Sequence, residues 1–135
     1  MRRRNCRGSM TVEALLLTPV LMMLVMLIVD TGRYTEASIR AHRAADVGAR
    51  VASISNDSQM LLKGELAART DIRLSKSSCQ QVDVKLRTSR IGKLMTVTTT
   101  VSCDVPMLGP GLFSLQTRRV EATSTEVIDY YTSRS

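Results

Sequence analysis

The chain has 135 residues, enough for one domain around one modest core. Its formal charge of +7 at first invites a nucleic-acid partner, but four of the basic residues precede Gly8, and without them 15 basic face 12 acidic residues, or +3. The remaining charge is scattered, and with no Trp and one Phe there is little platform for stacking bases, so nucleic-acid binding is set aside.

The first strong signal is "RGSMTVEALLLTPVLMMLVMLIVD", residues 7–30. From Ala14 to Val29 sixteen residues pass without a formal charge, interrupted only by Thr18 and Pro19. As a helix they span about 24 Å, a little short of the hydrocarbon layer. Val12 in front, with Tyr34 and the stem of Arg33 behind, extend the match towards the interfaces. The segment therefore predicts a membrane helix over about residues 12–30, because no other segment of the chain is able to wrap a helix apolar on all sides. Arg2, Arg3, Arg4 and Arg7 place the N-terminus in the cytoplasm and the C-terminal part outside. A cleavable signal sequence has the same polarity. The length of the apolar run and the Asp30-Thr31-Gly32-Arg33 exit, which lacks a small-x-small site, speak against it.

Glu13 stands at the entrance of this apolar run, five residues after Gly8. A cut between Gly8 and Ser9 would free an amino group one helical turn from that carboxylate. A buried ammonium and a buried carboxylate are each costly, yet paired across neighbouring helices they largely offset one another. Glu13 thus has a use in a helix that joins others of its kind in fixed register. Without such neighbours it reads as an interfacial carboxylate favoured by the helix dipole. Pro19 removes one backbone hydrogen bond and is expected to kink or loosen the helix.

A short basic leader, a glycine, a small residue, a glutamate and then an apolar helix resemble the processing site of type IV pilins. Extended through the Asp-x-Gly-Arg exit and "RAHRAADVGARVA", the pattern resembles the TadE-like pseudopilins of the tight-adherence (Tad/Flp) pilus machinery, densely over residues 7–53. The resemblance implies that Gly8 precedes the cut, that Ser9 becomes the new N-terminus and that Glu13 supports assembly. It implies as partners the membrane, an integral-membrane aspartyl prepilin peptidase, other pilins or pseudopilins and an inner-membrane assembly platform. No small-molecule substrate is expected. The location implied is the bacterial cytoplasmic (inner) membrane, single-pass.

Beyond the membrane the helix is expected to continue to residue 54, with Tyr34, Ala37, Ala41, Ala44, Val47, Val51 and Ile54 on one face. Ser55-Asn56-Asp57 marks a break, and residues 58–74 predict a short second helix with Leu62, Leu66 and Ala67 facing inward. "QVDVKLRTSR", "LMTVTTTVSCDV" and "TRRVEATSTEVIDYY" alternate as strands. The first two are joined by a loop over Ser89–Lys93, and the short connections favour an antiparallel meander. "PMLGPGLFSL", residues 106–115, reads as an apolar loop closing one end of the core, or else as a docking surface for a neighbouring subunit or the membrane.

Cys6 falls in the leader, which leaves Cys79 and Cys103 as a pair outside, where oxidation is possible. A bridge between them is expected to contribute about 3 kcal/mol by closing a loop of about 25 residues. Strand alternation alone would point Cys79 away from the face holding Cys103, so the bridge requires an irregular lead-in to the first strand. Two thiols and the distant His42 make a poor zinc site, and no nucleophile motif, phosphate loop or paired catalytic carboxylate is present. The expected protein is therefore no enzyme and has no cofactor. It is an α+β, pilin-like protein: residues 1–8 a cleaved leader, 9–54 a long helix, 55–79 a connection, 80–135 a three-stranded antiparallel meander on the helix's outer half. An unprocessed membrane-anchored scaffold and a secreted binding domain with a signal sequence are the alternatives.

Overall fold

The computed structural model describes residues 7–75, 78–108 and 115–128, with side chains over 12–75, 78–107 and 116–128. It contains α1 (Arg7–Ser53), α2 (Met60–Leu74), β1 (Gln80–Ile91), β2 (Leu94–Leu108) and β3 (Leu115–Val127). The α+β class and the three-stranded antiparallel sheet, order β1-β2-β3, are as the sequence led us to expect. The chain divides into two compact units, Met1–Gly32 and Arg33–Ser135.

The second unit, the head, is assembled around small residues. Ala37, Ala41, Ala44, Ala45, Ala49 and Ala52 of α1 are buried, whereas Tyr34 and Ile54 of the expected stripe are exposed and Val47 and Val51 are only half-buried. On α2 the difference is larger. The buried positions are Met60, Gly64, Ala68 and Ile72, while Leu62 and Leu66, expected inside, are 70% and 64% exposed. Ala67 is half-buried.

The reason is the crossing of the two helices. A Cβ built on Gly64 would lie 2.9 Å from the Gly48 carbonyl oxygen, 2.9 Å from the Ala52 Cβ and 2.5 Å from Leu86 Cδ2. One built on Gly48 would lie 3.0 Å from Ala68 Cβ, 3.0 Å from Thr99 Cγ2 and 3.1 Å from the Gly64 carbonyl oxygen. Gly48-x-x-x-Ala52 on α1 thus meets Gly64-x-x-x-Ala68 on α2, backbone against backbone, and only the smallest side chains fit. Leucine is excluded from that seam, so α2 turns its leucines outward.

Polar contacts tie α1 to α2, and α2 to β1. Arg40 donates to the Glu36 carboxylate at 2.7 Å and to the carbonyl oxygen of Ser75, one of the orphan acceptors at the end of α2. Arg43 stands 4.0 Å from Asp71. Arg69 pairs with Glu65 at 2.8 Å and donates to the Val82 carbonyl oxygen of β1 at 3.4 Å.

The sheet keeps the expected two faces. Val84 of β1, Val97, Thr99, Val101, Cys103 and Val105 of β2, and Val120 and Ala122 of β3 are buried against the helices. On the other face Thr98 shares a hydrogen bond with Thr125 at 2.9 Å and Thr100 with Thr123 at 3.4 Å. Two boundaries differ from expectation. The β1–β2 loop contracts from Ser89–Lys93 to Gly92-Lys93, with Gly92 at φ 64°, a left-handed conformation that primed hairpin turns use and that glycine adopts freely. Pro106, Met107 and Leu108, read as loop, continue β2 opposite Thr117, Gln116 and Leu115. Proline is tolerated there because β2 has by then outrun β1, whose pairing ends at Asp104, so its missing N–H leaves no β1 rung unmade. The rest of the apolar loop, 109–114, lies outside the described residues.

The largest fully buried side chains are Val97, Val101, Val105, Thr99 and Cys103, a core short of bulk. Among them the Thr99 hydroxyl has no hydrogen-bond partner among the described residues. Thr99→Val removes this unsatisfied group at nearly constant shape, and we expect the head to gain about 1 kcal/mol of stability. Thermal denaturation of the full chain in detergent checks this: a melting temperature at or below that of the parent would contradict it.

Candidate functional site

The candidate site is the N-terminal part of α1. Every residue from Val12 to Val29 is exposed, and the 18-residue window that qualifies the helix as membrane-spanning, mean hydropathy 2.5, has no buried residue. Leaving this many aliphatic side chains in water would cost on the order of 20 kcal/mol. Their surroundings must therefore be lipid or other apolar helices, and the segment is a membrane anchor. α1 remains one helix through Pro19. Proline leaves the Leu15 carbonyl without its usual N–H donor. The Thr18 hydroxyl, next to it, donates at 2.7 Å to the Ala14 carbonyl oxygen, and Thr31 does the same to Leu27 at 2.7 Å. In each case a hydroxyl in the apolar run or at its exit is satisfied within its own helix rather than left bare. The face carrying Thr18, Leu21, Met22, Val25 and Met26 forms a shallow, almost wholly apolar groove.

Gly8 and Ser9 lie in the first turn of α1, and their side chains are outside the described set. Glu13 is exposed on the same helix, ahead of the uncharged run. The leader, Met1–Cys6, also lies outside the described residues. Gly8, Ser9 and Glu13 are thus together at one end of one helix. His42 is an exposed residue of α1 well away from them.

Cys79 and Cys103 form a separate feature at the start of β1. Their sulfurs are bonded and their Cα atoms are 5.3 Å apart. The geometry that makes this possible is a slip in the β1–β2 register between Gln80 and Asp83, with Gln81 at φ 48°. One extra residue in a strand reverses which face every preceding side chain addresses. Cys79 is thereby carried over to the inner face, where Cys103 is buried. Gln81 holds a left-handed backbone that non-glycine residues adopt at some cost.

The meeting of Gly48 with Gly64 was not read from the sequence; it packs helix on helix within the head and carries no chemistry. The signal was present: two glycines, each followed four residues later by alanine, the spacing by which helices approach closely.

Among the described residues one helix is long and apolar enough to cross a membrane, and a small α+β head follows it, the pattern of a membrane-anchored protein. Residues 8–50, the greater part of α1, match the family model described as TadE-like protein. No curated protein and no solved structure matches the chain.

Proposed function

We propose that this chain is a pseudopilin, or minor pilin, of a Tad/Flp-type pilus. On this reading a prepilin peptidase cuts between Gly8 and Ser9 on the cytoplasmic side of the inner membrane, and the head projects outward. The mature helix then joins other pilins or pseudopilins on the membrane assembly platform to help initiate or anchor the filament. The observation that carries the reading is an apolar rod with no buried residue between Val12 and Val29, headed by one carboxylate, in a segment whose family match opens at Gly8. The work is structural, with no catalytic step.

Glu13 acts by charge. Once Ser9 is freed, its ammonium and the Glu13 carboxylate neutralise one another, within one chain or between neighbours, as the helix enters a low-dielectric bundle. Glu13→Gln keeps the shape and removes the charge. Losing one partner of such a pair costs about 3–5 kcal/mol, which in assembly means a fall of at least about a hundredfold. Counting pili on cells that carry Glu13→Gln, with membrane level and cleavage of the protein measured alongside, tests this. Normal piliation from a cleaved, normally abundant variant would contradict it.

A second reading has one observation in its favour. The α1 backbone is helical from Arg7, so the Gly8–Ser9 bond lies inside its first turn, and a scaffold that keeps its leader needs no unwinding there. Such a protein would begin at Met1. The secreted-domain reading finds no support in α1, which runs unbroken past residue 30 to Ser53.

A further inference from the structure

β1 and β3 are the two edges of the sheet, and among the described residues each pairs only with β2. Because β2 is antiparallel to both, β1 and β3 point the same way. A second copy set beside the first without inversion therefore brings its β1 alongside the first copy's β3 as a parallel neighbour.

The charges on these edges match at one register. Aligning each β3 residue with the β1 residue numbered 36 lower sets Arg119 against Asp83, Glu121 against Lys85 and Glu126 against Arg90. The same alignment sets Val120 against Val84, Ala122 against Leu86 and Val127 against Ile91. Each pair lies on a common face of the extended sheet, since residues exposed on the outer face are odd-numbered in both strands. Sliding by two residues in either direction, the smallest move that preserves the faces, puts Arg119 against Lys85 or Glu121 against Asp83.

We propose that a second copy of this chain adds its β1 to β3 of the first, continuing the sheet head to tail. Edge strands are commonly blunted by proline, bulges or like charges. Here neither edge contains proline, the β1 slip is confined to Gln80–Asp83, and the charges complement one another. The alternative of two β3 edges pairing antiparallel would invert one copy along the strand axis. β2 lies along α1, with Val97 near Ala52 and Val105 in the cluster of Ala37 and Ala41. Inversion would thus set the Arg33 ends of the two heads at opposite ends of the shared sheet, and it would leave the matches of Arg119 with Asp83 and of Glu121 with Lys85 unmade. Lys85 leaves Asp83, 3.2 Å away, and Arg119 leaves the Ser102 hydroxyl, 3.2 Å away, when the copies meet. Such exposed contacts contribute about 1 kcal/mol or less. A head-to-tail contact of this kind closes into a ring or continues as an open array. The proposal rests on the shared anchor, not on the pilus reading.

Disulfide trapping in native membranes tests it. In a full-length Cys6→Ser background, Lys85→Cys and Glu121→Cys placed in one chain should give a ladder of cross-linked multimers on a non-reducing gel. Either substitution alone should give about tenfold less product. No ladder, or a single-cysteine dimer as abundant as the ladder, overturns the proposal. As a second arm, Arg119→Glu, Glu121→Arg and Glu126→Arg together should weaken co-purification of two differently tagged copies about tenfold or more. Adding Asp83→Arg, Lys85→Glu and Arg90→Glu to the same chain should restore it. Association indifferent to the three β3 reversals would belong to the membrane helices and would equally overturn the proposal, as would failure of the six-fold variant to associate.

Discussion

Gly64→Val should unfold the head well below the parent's melting temperature. The first added carbon already meets the Gly48 carbonyl oxygen and the Ala52 Cβ at 2.9 Å, and neither is the end of a flexible side chain. Leu86 can swing its Cδ2 aside, but two helix backbones can only part. Overpacking of this kind costs about 1–3 kcal/mol, and the branched side chain of valine should reach the upper end. In a unit of about 100 residues that corresponds to a fall of about 10–20 °C. Gly64→Ala sets the same clash against a gain of about 1 kcal/mol in helix propensity and should lose less. Gly32→Ala is the counter-case. Nothing lies within 4 Å of a Cβ there, so the melting temperature should hold or rise. Thermal denaturation of the three full-length variants in one detergent decides the matter. A Gly64→Val chain as stable as the parent would mean that α1 and α2 do not cross where we place them.

The second large effect is on processing. Gly8→Leu should leave the chain uncleaved, with at least a tenfold loss of the shorter form, and pili should be lost with it. The Gly8–Ser9 bond sits in the first turn of α1, where no acidic residue strengthens the helix start and glycine weakens it by about 1 kcal/mol relative to alanine. On the proposed reading that weak turn is what a peptidase would open, and leucine at position 8 would stiffen it and add bulk beside the bond. Gly8→Ala alters only the propensity, so cleavage should slow about fivefold rather than stop. Immunoblots resolving the two forms read both outcomes. Equal cleavage of Gly8→Leu and the parent would contradict the assignment.

Sheet and anchor were legible for a common reason: each is written as a periodicity that burial enforces. Sixteen residues without charge allow one kind of helix. The alternation of Val97, Val101, Cys103 and Val105 with Thr98 and Thr100 fixes which face of β2 meets the helices, whatever packs there. Ala37, Ala41 and Ala44 are buried as their spacing predicts, but hydrophobicity is a poor guide to the rest of the inner face of α1 and to that of α2. At Gly48 and Gly64 distance decides instead, and the side chain that fits is the absent one. Leu62 and Leu66 consequently face outward although they are strongly apolar. Pro106 misled by composition: proline ends a strand that is paired on both sides, but β2 at that point is paired on one. At the candidate site Gly8, Ser9 and Glu13 are local to one another in the sequence, and no tertiary contact is needed to bring them together.

The most direct test is the N-terminus of the protein extracted from its native membrane, read by intact mass and N-terminal sequencing. A chain beginning at Ser9, with Glu13 retained at the head of the apolar helix, is the predicted result. A chain that still begins at Met1, or that starts beyond about residue 30 with the anchor removed, would contradict it.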